Sequence, residues 1–357
     1  LMALDMDGRE RWRRDLAPAG GQMDVAIDDV DADGVPEVLV LADRKVHLLD
    51  GATGCSRFSM AFPTSCPFLG RRHVKPSVRR FHVTLCRLNG FDAPARLVFH
   101  QDSSWGGHTL WCYDHELNHR WTHHNSGARY GHAIAVHDID GDGREEVVAG
   151  YYALNDEGEV LWRFRSHDHV FMGEHADNVV VARLEEGGPP LVAAACGGGG
   201  MLFMDATDGT VLRHLKGLGH AQRVCVGNFR HDREGREVWF STDWGCPGIF
   251  YLCDGEGQIL HRFQPDPRVT GGEPVRWSDD GRDFLLLQLT RPALGLWDGQ
   301  GRRVVTLSGL DGLPPSVLPT PTAQPLAPSF QVFRPGGAQT DRLGIVADDE
   351  LLILGPM

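Results

Sequence analysis

Residues 131–165 read GHAIAVHDIDGDGREEVVAGYYALNDEGEVLWRFR and contain the repeating pattern that decides the fold. A short apolar run ends in the acidic turn DIDGDG, REEVVAGYY follows as a second run, and two further runs flank the turn NDEG. Apolar runs of this length between glycine-containing turns are typical of β-strands joined as hairpins. The segment therefore predicts a four-stranded antiparallel unit.

The same order of strands and turns recurs along the whole chain. Similar units begin at Met23, His175 and His220, and weaker copies occupy 79–123 and 272–307. A period of about 40 to 50 residues is typical of propeller blades. LMALDMDGRERWRRDL at the start of the chain has the outer-strand pattern, whereas 329–354 have the pattern of the first strands of a unit.

These repeats predict an all-β, seven-bladed β-propeller with four-stranded antiparallel blades; six or eight blades are the alternatives. Both chain ends are expected to complete the last blade, because closure removes free sheet edges. The proline-rich segment 313–328 is expected to be a connector. We expect a single domain over 1–357, with blades at about 22–62, 78–124, 130–166, 174–216, 219–264, 272–309, and 328–357 plus 1–16.

Composition and charge exclude several classes of partner. The net charge of −13 argues against nucleic acid, which requires a basic face. No run of eighteen apolar residues predicts a membrane span. The eight cysteines show no CxxC spacing, so we expect buried thiols rather than disulfides or a zinc site. We expect a monomer; since no leader precedes Leu1, the compartment stays open between secreted or periplasmic and cytoplasmic.

Two turns share the pattern Asp-x-Asp-x-Asp-Gly-x-x-Glu. Alternating carboxylates around a glycine turn bring hard oxygen ligands together, as Ca²⁺ requires. The alternative is that these side chains only cap a β-turn through hydrogen bonds to the backbone. We predict structural calcium ligands at Asp29, Asp31, Asp33 and Glu37, and at Asp138, Asp140, Asp142 and Glu146.

Histidines and tyrosines open several of the predicted inner strands or lie in loops on the same face. Inner strands of a propeller line its channel, so residues that open them are expected to converge. The alternative is a plug of hydrogen-bonded histidines that fills the channel. The predicted catalytic residues are His132, His108, His175, His220, Tyr130 and Tyr152. A transition metal bound by His132, His175 and His220 is a further, less favoured hypothesis.

Cationic and aromatic residues lie on the same predicted rim. The basic segment 71–80 precedes an inner strand, where it would attract an anionic ligand; a solvated loop is the alternative. The predicted substrate-binding residues are Arg79, Arg80, Arg223, Trp105, Trp244 and Arg291.

With these motifs the chain resembles the seven-bladed polysaccharide lyases, namely rhamnogalacturonan lyase-like, ulvan lyase-like and rhamnose–glucuronate lyase-like propellers, and the acidic turns resemble FG-GAP repeats. The resemblance depends on DIDGDGREEVV at 138–148, on GHAQRVCVGNFRHDREGREVWF at 219–240, and on the inner strands that histidines open. It implies eliminative cleavage of an anionic oligo- or polysaccharide beside a uronic acid.

The implied chemistry needs a cation for the uronate carboxylate, a base for the C5 proton and an acid for the leaving oxygen. The candidates are Arg80, Arg223 or Arg291 as the cation, His132 or His108 as the base, and Tyr130 or Tyr152 as the acid, with Trp105 and Trp244 as platforms for sugar rings.

Three other functions stay open. A glycoside hydrolase on the same scaffold would use carboxyl groups, for which Asp177, Asp243 and Glu273 are candidates. A non-catalytic glycan-binding propeller is also possible, because fold does not dictate function. A quinone-cofactor dehydrogenase ranks last, since the regular tryptophan repeats expected of that class are missing from the sequence.

Overall fold

The computed structural model describes residues 1–5, 7–16, 24–42, 45–63, 81–101, 108–125, 131–164, 175–246, 248–265, 272–288, 294–307, 330–334, 338–347 and 350–355. Within these ranges the chain forms 29 β-strands. None of the described residues belongs to a helix with the length and hydropathy needed to cross a membrane. The chain divides into two compact units, an N-terminal unit (Leu1–Arg163) and a C-terminal unit (Phe164–Met357).

The N-terminal unit contains fourteen strands. They are β1 Met2–Leu4, β2 Glu10–Arg13, β3 Asp24–Asp28, β4 Glu37–Ala42, β5 Lys45–Asp50, β6 Ser56–Ala61, β7 Phe81–Cys86, β8 Arg96–Gln101, β9 His108–Tyr113, β10 His119–Asn125, β11 Ala135–His137, β12 Glu146–Val148, β13 Tyr152–Leu154 and β14 Val160–Arg163. β1 and β2 form a hairpin, and β3–β6, β7–β10 and β11–β14 form three four-stranded sheets. In each sheet sequential strands are antiparallel neighbours.

The C-terminal unit contains fifteen strands. They are β15 Asn178–Arg183, β16 Pro190–Ala195, β17 Met201–Asp205, β18 Val211–Leu215, β19 His220–Gly227, β20 Glu237–Asp243, β21 Phe250–Cys253, β22 Ile259–Phe263, β23 Glu273–Val275, β24 Phe284–Gln288, β25 Leu294–Trp297, β26 Arg303–Leu307, β27 Phe330–Phe333, β28 Arg342–Ala347 and β29 Glu350–Leu354. β15–β18, β19–β22 and β23–β26 are four-stranded sheets, and β27–β29 form a three-stranded sheet.

These sheets confirm the predicted fold class, an all-β seven-bladed propeller of antiparallel blades. Six blades are four-stranded within the described residues, and the seventh contains β27–β29. The closure of the last blade by both chain ends stays a prediction, because β1 and β2 pair with each other and β27–β29 already include three strands. The single domain over 1–357 likewise stays a prediction.

One main-chain hydrogen bond recurs between consecutive blades. The N–H of the residue just before the second strand donates to a carbonyl that follows the first strand of the preceding blade. In the N-terminal unit, Ala95 donates to Val30 at 2.7 Å and Glu145 donates to Arg87 at 3.2 Å. The equivalent pairs of the C-terminal unit are Arg236 to Leu184, Asp283 to Asn228 and Asp341 to Arg276, at 2.7, 2.7 and 2.8 Å. Within each unit, therefore, consecutive blades meet in the same way.

Outer strands pack against the hairpin of the following blade. Trp12 on β2 and Trp121 on β10 donate their indole N–H to the main chain of that hairpin at 2.9 and 2.8 Å. Each indole ring lies over a glycine of the turn, Gly54 (φ +68°) or Gly158 (φ +79°), where a Cβ atom would approach the ring to 2.6 Å. The β1–β2 hairpin thus lies against β3–β6 as β9–β10 lie against β11–β14.

The apolar cores lie between neighbouring sheets. In the N-terminal unit, Leu39 and Leu48 from one sheet pack with Leu97, Phe99 and Trp111 from the next. In the C-terminal unit, β16–β17 and β20–β21 share a second core around Phe203 and Phe240. Because these side chains are almost fully buried, each contributes on the order of 1.5–3 kcal/mol to stability. The cores hold the inner strands, and hence the polar residues that open them, in fixed positions.

Candidate functional site

In the C-terminal unit, three side chains converge on the carboxylate of Asp177. His175 Nε2 lies 3.1 Å from Oδ1, Gln222 Nε2 lies 3.0 Å from Oδ1, and His220 Nε2 lies 2.9 Å from Oδ2. Asp177 is buried, with 3% of its surface exposed, whereas the two imidazoles are 17% and 19% exposed. The cluster therefore combines a buried anion with two imidazoles that reach the surface.

Two consecutive blades supply this Asp177 cluster (His175, Asp177, His220 and Gln222). Asp177 directly precedes β15, and its N–H donates to Ala195 O at 2.8 Å, which extends the β15–β16 ladder by one residue. His220 opens β19, the first strand of the next sheet. The β19–β20 register shifts between Ala221 and Arg223, so Gln222 is the extra residue of a β-bulge. Bulges re-aim side chains, and this one lies at the cluster.

Asp177 is ionised at neutral pH. Burial raises its pKa, but hydrogen bonds from His175 and His220 and the positive charge of their protonated forms outweigh burial and hold the pKa below the ordinary value of 3.8. An ionised carboxylate accepts hydrogen bonds and donates none. Asp177 can therefore orient imidazoles but cannot serve as a general acid.

An exposed indole adjoins the cluster. The Trp244 side chain lies in the turn after β20, with 47% of the residue exposed, and its ring centroid is 6.0 Å from that of His220. Trp244 has a φ of +53°, which is uncommon for a residue other than glycine. Cys246 follows, and its Sγ accepts the His220 N–H at 3.3 Å. The turn thus presents a flat apolar surface beside a partly exposed imidazole, a combination typical of ligand sites.

Arg223 follows Gln222 on β19 and lies at the interface between two blades. It lines a cavity of about 10 Å³ together with Cys225 and Trp239. Close packing raises the pKa of Glu273 on β23, although part of that residue is exposed, and the charge of Arg223 opposes the shift. Arg223 is thus near a carboxylate of the protein itself. Its assignment as a substrate clamp stays a prediction.

A row of imidazoles crosses one blade of the N-terminal unit. His82 on β7 lies opposite His100 on β8, with ring centroids 5.3 Å apart, and the His100 and His108 rings are 5.6 Å apart. Tyr152 on β13 of the next blade brings its hydroxyl within 3.3 Å of His108 Nδ1. His108 and Tyr152 are completely buried, so a polymer does not reach them in this conformation.

His100 is neutral at the centre of this row. Burial lowers its pKa well below 6.5, and the positive charges that His82, His108 and His132 carry when protonated lower it further. Its Nδ1 atom is buried without a hydrogen-bond partner. Transferring such a polar atom out of water is costly, and a protonated ring would be costlier still.

The structure brings some of the predicted site residues together within each unit. His175, His220 and Trp244 form one site in the C-terminal unit, and His108 and Tyr152 form a buried pair in the N-terminal unit. His132 lies in the N-terminal unit near His100. Tyr130, Arg79, Arg80, Trp105, Arg291 and the remainder of the basic segment 71–80 lie outside the described residues. The convergence of all these residues on one face stays a prediction.

Sequence reasoning considered Asp177 only as a carboxyl group for hydrolysis and did not identify the function that it shares with Gln222. The spacing that reveals it is His-x-Asp at 175–177 followed by His-x-Gln at 220–222. Residues two apart on a strand point to the same side, so each pair presents both side chains to one face. The relation between the two pairs depends on how consecutive blades meet.

The first acidic turn already contains a cation. Asp29 accepts the N–H groups of Asp33 and Gly34 at 3.0 and 2.9 Å, which is how an aspartate caps a turn. Arg57 on β6 forms ion pairs with Asp31 at 2.5 Å and with Glu37 at 2.6 Å. Carboxylate oxygens of Asp29, Asp31 and Asp33 still lie within 4.8 Å of one another.

The second acidic turn lacks an equivalent of Arg57. Carboxylate oxygens of Asp138, Asp140 and Glu146 lie within 4.8 Å of one another, and the strand position that corresponds to Arg57 is Leu161. Burial raises the pKa of Glu146 to about 7; the hydrogen bond from Ile139 N–H opposes this shift, and the neighbouring aspartates add to it. This carboxylate is thus held among like charges. The calcium ligands stay a prediction at both turns.

The seven described cysteines are all free thiols. Cys86, Cys112, Cys196 and Cys253 are buried, whereas Cys55 is exposed. Burial raises the pKa of Cys112 and Cys253 to about 12, so these thiols are not ionised at neutral pH. Cys66 lies outside the described residues.

Residues 101–270 match the family model described as the C-terminal domain of rhamnogalacturonan lyase family 11. Over this segment the chain is similar to a family of polysaccharide lyases. The matched segment includes the whole Asp177 cluster and Trp244. No curated protein sequence matches the chain significantly.

Solved structures with a similar fold include two rhamnogalacturonan lyases. The exotype rhamnogalacturonan lyase YesX superposes with a TM-score of 0.72 at 18% identity, over 99% of this chain and 65% of that one. Rhamnogalacturonan lyase PL11 of Bacillus licheniformis gives 0.66 at 17% identity with the same coverages, and the Dos1 propeller gives 0.54 at 12%, over 87% and 77%. The chain thus spans about two thirds of the length of these lyases. At such identities the likeness shows the fold.

Proposed function

We propose that the protein is a polysaccharide lyase that cleaves a rhamnogalacturonan-type glycan by β-elimination beside a uronic acid, at the Asp177 cluster. One observation carries this proposal. The segment 101–270, which matches the C-terminal domain of rhamnogalacturonan lyase family 11, contains the buried carboxylate, both of its histidine partners and the exposed Trp244. The similar folds of YesX and the Bacillus licheniformis enzyme agree with it.

The elimination needs a base that removes the C5 proton while the C4–O bond breaks and a C4–C5 double bond forms. We assign the base to His220, since its ring is partly exposed and its Nε2 is held by Asp177. His175 is the second imidazole of the site; in its protonated form it keeps Nε2–H on Asp177 and gives the Nδ1 proton to the leaving oxygen. Both rings are held by the same carboxylate, which keeps the acid and the base close together.

The indole of Trp244 provides a stacking surface for the sugar ring that reacts. Its centroid lies 6.0 Å from that of His220, so a ring stacked on the indole meets the imidazole at its edge. The uronate carboxylate needs a positive partner, because its charge otherwise opposes formation of the carbanion. The candidates from the sequence for this function are Arg80, Arg223 or Arg291.

Hydrolysis is the less favoured chemistry. Glycosidases use one carboxyl group as an acid and a second as a nucleophile or base. Asp177 stays ionised and accepts hydrogen bonds from His175, His220 and Gln222, so it cannot protonate a leaving group. Glu273, another carboxyl group predicted for a hydrolase, has a pKa that burial raises, and the charge of Arg223 opposes that shift.

Incubation with rhamnogalacturonan tests the proposal, because elimination leaves an unsaturated sugar that absorbs ultraviolet light and hydrolysis does not. We expect absorbance to increase with time, and we expect His220→Gln to lower the rate by about 10²–10⁴-fold, the usual contribution of a general base. His231→Gln is the matched control, since His231 is an exposed histidine in a turn of the same unit. New reducing ends without absorbance would indicate a hydrolase, and no cleavage at all would indicate a binding protein.

We further propose that the second acidic turn binds Ca²⁺ more tightly than the first, because Arg57 already neutralises Asp31 and Glu37. At a Ca²⁺ concentration of 100 Kd the ion should stabilise the protein by about 2.7 kcal/mol. Thermal unfolding with Ca²⁺ and with chelator checks this. Asp140→Asn should abolish most of the stabilisation by Ca²⁺, and Asp31→Asn should preserve it. Equal losses of this stabilisation in the two variants, or no effect of Ca²⁺ on the stability of the native protein, would contradict the assignment.

A further inference from the structure

The carboxylate of Asp177 accepts hydrogen bonds from His175, Gln222 and His220, and these contacts restrict the chemistry of each partner. His175 and Gln222 contact Oδ1 at 3.1 and 3.0 Å, and His220 contacts Oδ2 at 2.9 Å. An ionised carboxylate has no proton to donate, so each imidazole must carry a hydrogen on the Nε2 atom that faces it. A neutral ring with a hydrogen on Nε2 has none on Nδ1, which is then the basic nitrogen.

We propose that Asp177 is a positioning residue that holds both His175 and His220 in the Nε2–H tautomer and thereby makes Nδ1 of His220 the proton acceptor of the site. The two tautomers follow from contacts within the protein. The function of His220 Nδ1 as proton acceptor rests on the lyase function proposed above. Asp177 does not touch the reacting atoms in this scheme, since it is buried behind the two rings.

Gln222 acts on Asp177 rather than on a ligand. Its Nε2 donates to Asp177 Oδ1, while its Oε1 atom is buried and accepts no hydrogen bond. The reverse orientation of the amide would place Oε1 against a negatively charged oxygen, so the carboxylate decides which end of the amide faces it. The unsatisfied Oε1 shows that the amide is placed for this single contact. By donating to Oδ1, Gln222 helps to fix the carboxylate against rotation.

The neighbouring ionisable groups of the C-terminal unit do not provide an equivalent partner. On β20, Asp243 lies opposite His220 in the ladder, yet the imidazole donates to Asp177 instead. Cys246 contacts the main-chain N–H of His220 and not the ring. Glu273 on β23 interacts with the charge of Arg223. Within the described residues of the C-terminal unit, Asp177 is therefore the anion that fixes the His220 ring.

Nitrogen chemical shifts of the histidine rings test the proposal without any substrate. Long-range ¹H–¹⁵N spectra of the ¹⁵N-histidine-labelled full chain distinguish the two tautomers, and His175→Gln and His220→Gln assign the signals. Above the pH at which the rings titrate, we expect both residues as Nε2–H. Asp177→Asn should convert one of the two rings to Nδ1–H, because an amide offers one acceptor and one donor where the carboxylate offered two acceptors.

Asp243→Asn is the matched control, since it removes a neighbouring carboxylate and should leave both tautomers unchanged. An Nδ1–H form of either ring in the native protein would overturn the proposal, and so would an Asp177→Asn spectrum in which both rings stay Nε2–H. The spectrum of the native protein shows by itself whether both rings are Nε2–H. The proposal can therefore be tested even if Asp177→Asn does not fold.

Kinetics separate this proposal from the lyase function on which its last step rests. If both hold, Asp177→Asn should lower kcat by about 10²-fold, as expected for loss of an oriented base, with KM changed by less than about threefold. Trp244→Ala should mainly raise KM. Both rings as Nε2–H without any unsaturated product would contradict the lyase function and leave the positioning intact. Unsaturated product with a native Nδ1–H ring would contradict the positioning alone.

Discussion

Acidification below pH 6.5 is expected to destabilise the protein through His100. Burial and the charges of its neighbours lower the pKa of this ring well below 6.5 in the folded protein. An unfolded chain binds a proton on His100 below pH 6.5, whereas the folded chain does not, so folding loses stability as the pH falls. The loss is about 1.4 kcal/mol for each pH unit between 6.5 and the folded pKa. At pH 5 it reaches up to about 2 kcal/mol.

Replacement of His100 by Leu should remove this dependence. The leucine has no group to protonate, and the position lies among rings and apolar side chains that accept it. Chemical denaturation of the native protein and His100→Leu at pH 7.5 and pH 5 measures the two slopes. His231→Gln serves again as the exposed control and should keep the native slope. Equal acid sensitivity in His100→Leu and the native protein would show that other groups cause it, with His82, His108 and His132 next to be tested.

The fold was predictable because its signal is local. The segment 131–165 alone contains four strand-like runs separated by turns, and the structure places β11–β14 within it. Alternation and turn residues depend on near neighbours in the chain, so they can be recognised without knowledge of the rest. Repetition of the same order then identifies the class of fold.

The candidate site was predictable only in part, because its contacts join separate blades. His175 and His220 were singled out by their position at the start of inner strands, but their common partner Asp177 appears only when two blades are placed side by side. His108 and Tyr152 show the opposite case. Their residue types suggested catalysis, yet the strands that carry them place both in the interior. The type of a residue does not reveal how deeply it is buried.

The acidic turns show why identical motifs differ in the structure. Both have the same spacing of aspartates and glutamate, and both bring oxygens together. They differ in a residue outside the motif, Arg57 on β6 in one and Leu161 on β14 in the other. The outer strand of the blade thus decides whether the turn has an internal cation, and the motif alone cannot show it.

Replacement of Gly51 by Ala is expected to destabilise the N-terminal unit by about 3 kcal/mol or more, above the middle of the range for overpacked sites. Gly51 follows β5, and a Cβ atom there would lie against the main-chain oxygen of Pro36 at the start of β4. The obstruction is backbone, so it cannot swing aside as a side chain would. Denaturant unfolding monitored by fluorescence measures the change.

Gly34→Ala is the control that separates a clash from backbone strain. Gly34 has a φ of +87° and open space around the position of a Cβ atom. An alanine there should therefore cost only the left-handed conformation, about 1–2 kcal/mol. A Gly51 variant that loses no more stability than the Gly34 variant would contradict the steric argument.

The corresponding turn of another blade shows how the main chain could move to avoid the clash in Gly51→Ala, and which hydrogen bond would be disturbed. Ala206 follows β17 as Gly51 follows β5, and its N–H donates to the oxygen of Pro190 at 3.1 Å. At Gly51, however, the carbonyl accepts the indole N–H of Trp12 at 2.9 Å. Rotation of this turn into the arrangement seen at Ala206 would disturb that hydrogen bond. Gly51→Ala should therefore cost less in a Trp12→Phe background than alone, and strictly additive changes in the double-mutant cycle would rule out this coupling.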